Sequence, residues 1–373
     1  MMTEENKKVL DDLVYLAACA VNGQVPKKSR TDGMDLSLVY EAAQNHKLAA
    51  AAGMALESAG IRNEAFVQAV AKAMRKNALL DADRAELTRK LEEAGIWYMP
   101  LKGAILKDLY PRFGMREMAD NDILVDAARA QDVGRIMQEL GFEVKEAGKG
   151  HHDEYTKPPV SNFEIHRMLF SGLDSEPCHL YYREMEKRLI PDKDSSFGRH
   201  FSTDDLYLYL TAHEYKHYRH GGTGIRSLLD TYVFLRKYGE ALDMDYVAAE
   251  AEKMGTADYE KQSRELALRL FSREALTEAE QKMFAYYASC GTYGSYEQKI
   301  VNEVHSFGGG LSGKLRFFLS RLFMPMDKIK YAYPVVYRYK ILLPFLYVYR
   351  IIKGLTTRRG VTIADLKALK KPM

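Results

Sequence analysis

Residues 95–125 read GIWYMPLKGAILKDLYPRFGMREMADNDILV. Their pattern predicts a short apolar strand over 97–101, a Lys102-Gly103 turn, a helix over 104–110 and a second strand over 120–125. A strand turns successive side chains to opposite faces, so Asp120 and Asp122 share one face. Two carboxylates side by side repel unless a cation lies between them. Oxygen-only ligands on a strand suit Mg²⁺, which binds through one or two carboxylates plus substrate phosphates. Gly103 lets backbone approach a ligand closely, and a helix N-terminus attracts anions. A phosphate cradle close in sequence to a carboxylate pair is equipment for phosphoryl or nucleotidyl transfer.

Outward from this stretch the period changes on both sides. Helical spacing runs through residues 1–94, with a loop at 23–33, a unit at 35–58 containing His46, and a long helix from 64 ending at Gly95. Residues 95–170 alternate between strand and helix, with a helix over 127–140 and strands over 142–145, 152–156 and 162–169. Residues 171–200 read as loops. Helices return over 204–218, 224–238, 244–271 and 277–289, and Gly308-Gly309-Gly310 reads as a flexible joint. The expected fold class is α+β. A small mixed-sheet core (95–170) is flanked by an N-terminal helical segment (1–94) and a C-terminal helical bundle (171–310), with a basic aromatic tail (311–373) packed on the bundle.

The third acid is Glu164. In NFEIH it shares a strand face with His166, opposite Phe163 and Ile165. A carboxylate on a neighbouring strand would complete a two-metal site with Asp120 and Asp122. The competing reading makes the aspartates exposed edge acids and pairs Glu164 with an arginine. Lys102-Gly103 lacks the P-loop frame, so it is a turn first and a phosphate site second. Arg116 either pairs with Asp120 or clamps a triphosphate.

His213-Glu214-Tyr215-Lys216-His217 matches H-E-x-x-H, which on a helix puts two imidazoles on one face for Zn²⁺ with Glu214 as base. The longer motif needs Gly and His where this chain has His220 and Thr223. The alternatives are a cleft-lining helix with His213, Lys216 or His217 near phosphates, or plain packing. Arg226 and Asp230 are spaced for an ion pair within one helix.

Composition narrows the class. The 373 residues are 47% hydrophobic and 28% charged with net charge +3, an ordinary globular chain without the excess that marks a nucleic-acid binder. Three scattered cysteines and a polar, acidic N-terminus point to a reducing cytoplasm. No run of 18 residues is free of charge, so no spanning helix is expected. Between residues 314 and 353, however, nine Lys/Arg face one acid, Asp327. That tail interleaves tyrosines with cations and reads as core helices, as a membrane-surface patch or as a nucleic-acid groove.

Taken together, Leu101-Lys102-Gly103, Tyr110, Arg116, Asp120-Asn121-Asp122 and Glu164-Ile165-His166 resemble an uncharacterised bacterial family of nucleotidyltransferases with the polymerase-beta-like fold. EAAQNHKLAAAAGMAL, HEYKHYRH with Arg226 and Asp230, and the tail's Pro325, Tyr333-Pro334 and Tyr349-Arg350 are similar to its flanking motifs. Two departures stand out. Asn121 replaces an apolar residue, and the side chain should face away from any metal. Lys-Gly replaces the Gly-Ser turn common in the wider superfamily.

The resemblance implies an enzyme in which Asp120, Asp122 and Glu164 hold Mg²⁺, or Mn²⁺ in its place. Lys102, Gly103, Arg116, His166, His213 and His217 would line the site for ATP or another nucleoside triphosphate. The resemblance leaves the acceptor unknown; a small molecule such as a sugar or alcohol is favoured over protein or RNA. The composition of the tail, not the resemblance, adds peripheral membrane contact through 311–373 as an expectation. The readings held against it are a zinc hydrolase on His213 and His217, and an inactive fold serving as an interaction protein.

Overall fold

The structure, a computed structural model, describes residues 3–356 apart from 149, 293 and 295, together with 365 and 369. The rest of the 311–373 tail lies outside the described residues. The architecture is α+β, 67% helical, with one five-stranded mixed sheet.

The sheet comprises β1 (Tyr98–Pro100), β2 (Asn121–Val125), β3 (Glu143–Glu146), β4 (His152–Lys157) and β5 (Ser161–His166), in the order β1-β2-β5-β4-β3. Only β2 and β5 are parallel; the other pairs are antiparallel. Alternation sorts the side chains. Ile123, Val125, Phe163 and Ile165 face one side and pack with Leu87 and Leu91 of the Glu64–Glu93 helix. Leu124 faces the other side with Met99 and Leu101, against Tyr207, Leu208 and Phe234 of the helical bundle. The Glu64–Glu93 helix starts at Asn63, whose side chain accepts from Ala65 and Phe66 amides. It ends as expected at Gly95, whose φ of +66° suits glycine.

The N-terminal helices do not stand apart. Leu13, Leu16 and Phe66 share a core with Leu228, Leu266 and Tyr287 of the bundle. His46, buried and held down to about 4 by that burial, accepts from the Ile225 amide at 3.3 Å. Several boundaries differ from the sequence reading. The 35–58 unit breaks into Leu36–His46 and Ala49–Ser58 at Lys47, and 244–271 breaks into Met244–Met254 and Ala257–Ser272 at Gly255; both hinge residues have positive φ. Residues 171–200 contain a helix, Glu176–Tyr181, where loop was expected. The triglycine is a turn into the Gly310–Leu322 helix, closed by the Gly309 amide on the Val304 carbonyl at 3.0 Å.

Candidate active site

The parallel register sets Asp122 directly opposite Glu164, and Leu124 opposite His166. One ligand atom each from Asp122, Glu164 and His166 lies within 4.8 Å of the others. Asp120, immediately before β2, lines the same cleft of about 350 Å³. The cleft runs between the sheet and the helices Thr203–His220 and Ile225–Tyr238. Asn121 turns away, as its place in the strand requires. Its amide donates to the Leu80 carbonyl at 2.8 Å and accepts from Arg84 at 3.0 Å, pinning β2 to the long helix.

The acids differ in charge state. Burial pushes Asp120 up to about 7, and the neighbouring Asp122 and Glu164 charges add to it. Burial would raise Asp122 too, but the Lys102 ammonium and then His166 hold its carboxyl well below the usual range. The Lys102 Nζ lies 2.6 Å from Asp122 and 3.8 Å from Glu164. The His166 Nε2 lies 3.0 Å from the same Asp122 oxygen. Lys102 itself has φ +48°, uncommon for a residue with a Cβ and a sign of strain at the turn.

Two assignments change. Arg116 lines the cleft but does not pair with Asp120. It is buried and bidentate on Asp230, with contacts of 2.7 and 2.9 Å, while Tyr110 also donates to that carboxylate at 2.7 Å. Asp230 is therefore held by Arg116 and Tyr110 rather than by an Arg226 pair within its own helix. Arg226 donates to the Glu117 carbonyl at 3.2 Å and lines the cleft. The helix after Gly103 is only Gly103–Leu106, continued as 3-10 to Leu109, so its dipole is small. Glycine at 103 has another reason: a Cβ there would meet Arg116 Nη1 at 2.7 Å and Met118 at 2.9 Å.

Among the described residues the H-E-x-x-H helix gathers no third ligand to its two histidines. The His213 and His217 Nε2 atoms are 3.2 Å apart and both rings line the cleft. Burial, then Lys102, keeps His213 neutral; burial, then Lys216, takes His217 down to about 3. Among the described residues no group of three ligand side chains includes either. Glu214 accepts instead from Tyr287 at 2.7 Å and Thr231 at 3.4 Å, and burial pushes it up to about 7.

A native carboxyl that keeps its proton until about pH 7, against 4.5 in the free residue, loses stability as pH rises through that window. Glu214→Gln mimics the protonated form. It is expected to match the parent near pH 4 and to exceed it by about 2 kcal/mol near pH 8, the figure allowing for water in the cleft. Urea unfolding at the two pH values measures this.

A family model described as uncharacterised nucleotidyltransferase matches residues 32–272. The chain belongs to that family. No curated protein and no solved structure matches it. The family match takes in the whole sheet and the cleft-lining helices but ends before the basic tail.

In this nucleotidyltransferase the cleft also contains residues that sequence patterns did not single out. His151 and His152 stand at its rim beside His166. Tyr209, fully buried in the bundle, stands behind the cleft, its ring centroid 6.1 Å from that of His213. The doublet His151-His152 precedes a strand, and only the β4–β5 register, which pairs His152 with His166, gives it a place in the site.

Proposed function

We propose that this nucleotidyltransferase moves a nucleoside monophosphate from an Mg²⁺-bound nucleoside triphosphate to an acceptor hydroxyl, with release of pyrophosphate. The observation that carries it is the register of Asp122 against Glu164 on adjacent parallel strands, beside Asp120 in one open cleft. These oxygen donors fit Mg²⁺, or Mn²⁺ in its place. When bound there, the ion supplies charge neutralisation for the phosphates and acidifies the acceptor hydroxyl.

The chain's own groups do the rest. Asp120, Asp122 and Glu164 hold the cation. Glu164, whose side chain is 28% exposed, is placed to take the acceptor proton. The acceptor oxygen bonds to the α-phosphorus, and the bond to the β-phosphate oxygen breaks. His166 fixes the orientation of Asp122. Lys102, which pairs with Asp122 here, would be free to hold the triphosphate were those carboxylates occupied by a cation. The backbone at Gly103 borders the phosphates, and neutral His213 and His217 offer N–H donors along the cleft. Arg116 is a positioning residue, bracing the turn that carries Lys102. A cleft of about 350 Å³ suits a small acceptor, a sugar or alcohol, more than protein or RNA.

Thermal unfolding with each of the four triphosphates and Mg²⁺ tests this. At a hundredfold excess over Kd, a binding triphosphate adds about 2.7 kcal/mol to stability. If none of the four moves the melting point with either Mg²⁺ or Mn²⁺, the reading fails.

The tail supports peripheral contact with an anionic bilayer from a cytoplasmic location. Phe317 packs with Ile300 and Val304, and Tyr331 contacts His179 and Glu176, so the tail is anchored to the body. Its outer face is nevertheless apolar: Leu311 is 87% exposed, Ile341 82% and Phe345 72%. The nine Lys/Arg over residues 314–353 give the tail a net positive charge of the sign an anionic surface attracts. No helix of the described residues is long and apolar enough to cross a membrane. The full chain should co-sediment with phosphatidylserine vesicles and not with phosphatidylcholine alone. Ile341→Glu/Phe345→Glu should abolish the association.

A further inference from the structure

We infer that His151, His152 and His166 form a second metal site, built for a borderline transition-metal ion of the Zn²⁺ class rather than for Mg²⁺. The backbone brings the three together. His152 opens β4 directly opposite His166 on β5. The His151 carbonyl accepts from the Arg167 amide at 2.9 Å, holding the residue beside the end of β5. The ring centroids are 4.5, 5.1 and 5.6 Å apart. One nitrogen from each ring lies within 4.8 Å of the other two.

The outward nitrogens explain the inward ones. Each ring turns one nitrogen toward a carboxylate: His166 Nε2 to Asp122 at 3.0 Å, His152 Nε2 to Glu154 at 3.6 Å, and His151 Nδ1 to Asp174 at 3.8 Å. That leaves Nδ1 of His166, Nδ1 of His152 and Nε2 of His151 for one another. The two Nδ1 atoms are buried without a hydrogen-bond partner among the described residues, and the His166 side chain is only 2% exposed. Buried imidazole nitrogens with nothing to bond are costly. A metal ion ligated by all three removes that cost.

The chemistry of the set selects the ion. Neutral imidazoles suit Zn²⁺, Co²⁺, Ni²⁺ or Fe²⁺, whereas Mg²⁺ seeks oxygen. The Asp122 carboxylate behind His166, within hydrogen-bond distance, is the arrangement that orients a ligating ring and raises its basicity. Burial first, then the nearby Lys216 and Lys102, keep His151 neutral, the form that ligates a metal. Three histidines leave a fourth position, and His151 and His152 border the cleft, so that position opens toward the bound substrate. The site meets the Asp122–Glu164 pair only through His166. It does not depend on nucleotidyl transfer being the reaction.

Co²⁺ is the probe, titrated into chelator-treated full-length protein with excess Mg²⁺ occupying the oxygen site. One equivalent should bind with the strong visible absorption of four-coordinate Co²⁺, and Zn²⁺ should displace it. His151→Ala/His152→Ala should weaken Co²⁺ binding by at least about a hundredfold. In the same variant, cooperative urea unfolding should persist, which shows that the fold survives. His213→Ala/His217→Ala should leave Co²⁺ binding intact. The inference is overturned if the parent protein binds no stoichiometric Co²⁺, if the His151/His152 variant binds it as well as the parent, or if the His213/His217 variant is the one that loses it.

Discussion

Asp120→Asn is expected to abolish Mg²⁺-dependent triphosphate binding and turnover while leaving the protein at least as stable as its parent. Asp120 is the acid that pays for its surroundings: burial and the charges of Asp122 and Glu164 push it up to about 7. Removing the charge relieves that repulsion, so urea unfolding above pH 7 should show no loss. Catalysis should suffer heavily, since a metal-bound transition state loses several kcal/mol of charge stabilisation. About 4 kcal/mol corresponds to about a thousandfold in rate. Asp122→Asn is the less clean variant, because it also strips Lys102 and His166 of their shared partner. The parent should bind cation more tightly as pH rises toward about 7, because the ion must displace the Asp120 proton, and should level off above it. Mn²⁺ titration across that range measures the effect. Unchanged triphosphate binding in Asp120→Asn would remove the acid cluster from the reaction.

The parts of this site that follow local rules were legible in the sequence, and the parts set by long-range pairing were not. Strand alternation alone put Asp120 with Asp122 and turned Asn121 away. It also put Glu164 with His166 against Phe163 and Ile165. Nothing local says that β5 lies parallel to β2, or that Asp122 meets Glu164 and not a residue two positions along. That register is fixed by Ile123 and Ile165 sharing the core with Leu87 and Leu91 of a helix some thirty positions upstream of β2. Glu214 misled for the same reason. H-E-x-x-H is a local pattern, and the direction of Glu214 depends on Tyr287 and Thr231, which the pattern does not contain. Lys102-Gly103 was legible as a turn, with a phosphate role second to it. The bond from Lys102 to Asp122 depends on two segments meeting twenty residues apart. In each case the missing information was the identity of a distant partner.

Arg116 and Asp230 are the longest of these connections, 114 positions apart in the chain, and breaking the pair should cost the most stability. Both side chains are largely buried, at 7% and 13% exposure, so removing one leaves the other charged in a poorly solvating site. Arg116→Met or Asp230→Leu alone should each lower unfolding free energy by about 3–5 kcal/mol. Tyr110 adds to the cost at Asp230, since its hydroxyl also loses an acceptor. The double variant Arg116→Met/Asp230→Leu should recover most of that loss, because two apolar side chains replace two desolvated charges. Function should not recover with stability. Arg116 Nη1 packs where a Cβ on residue 103 would stand, so the guanidinium shapes the turn that carries Lys102. The double variant should therefore unfold at nearly the parental urea concentration yet bind triphosphate at least about tenfold more weakly, a displacement of the turn being felt as lost orientation. Parental affinity in that double variant would reduce the pair to a fastener between sheet and bundle. Continued instability would mean that the charges do more for this fold than fill space.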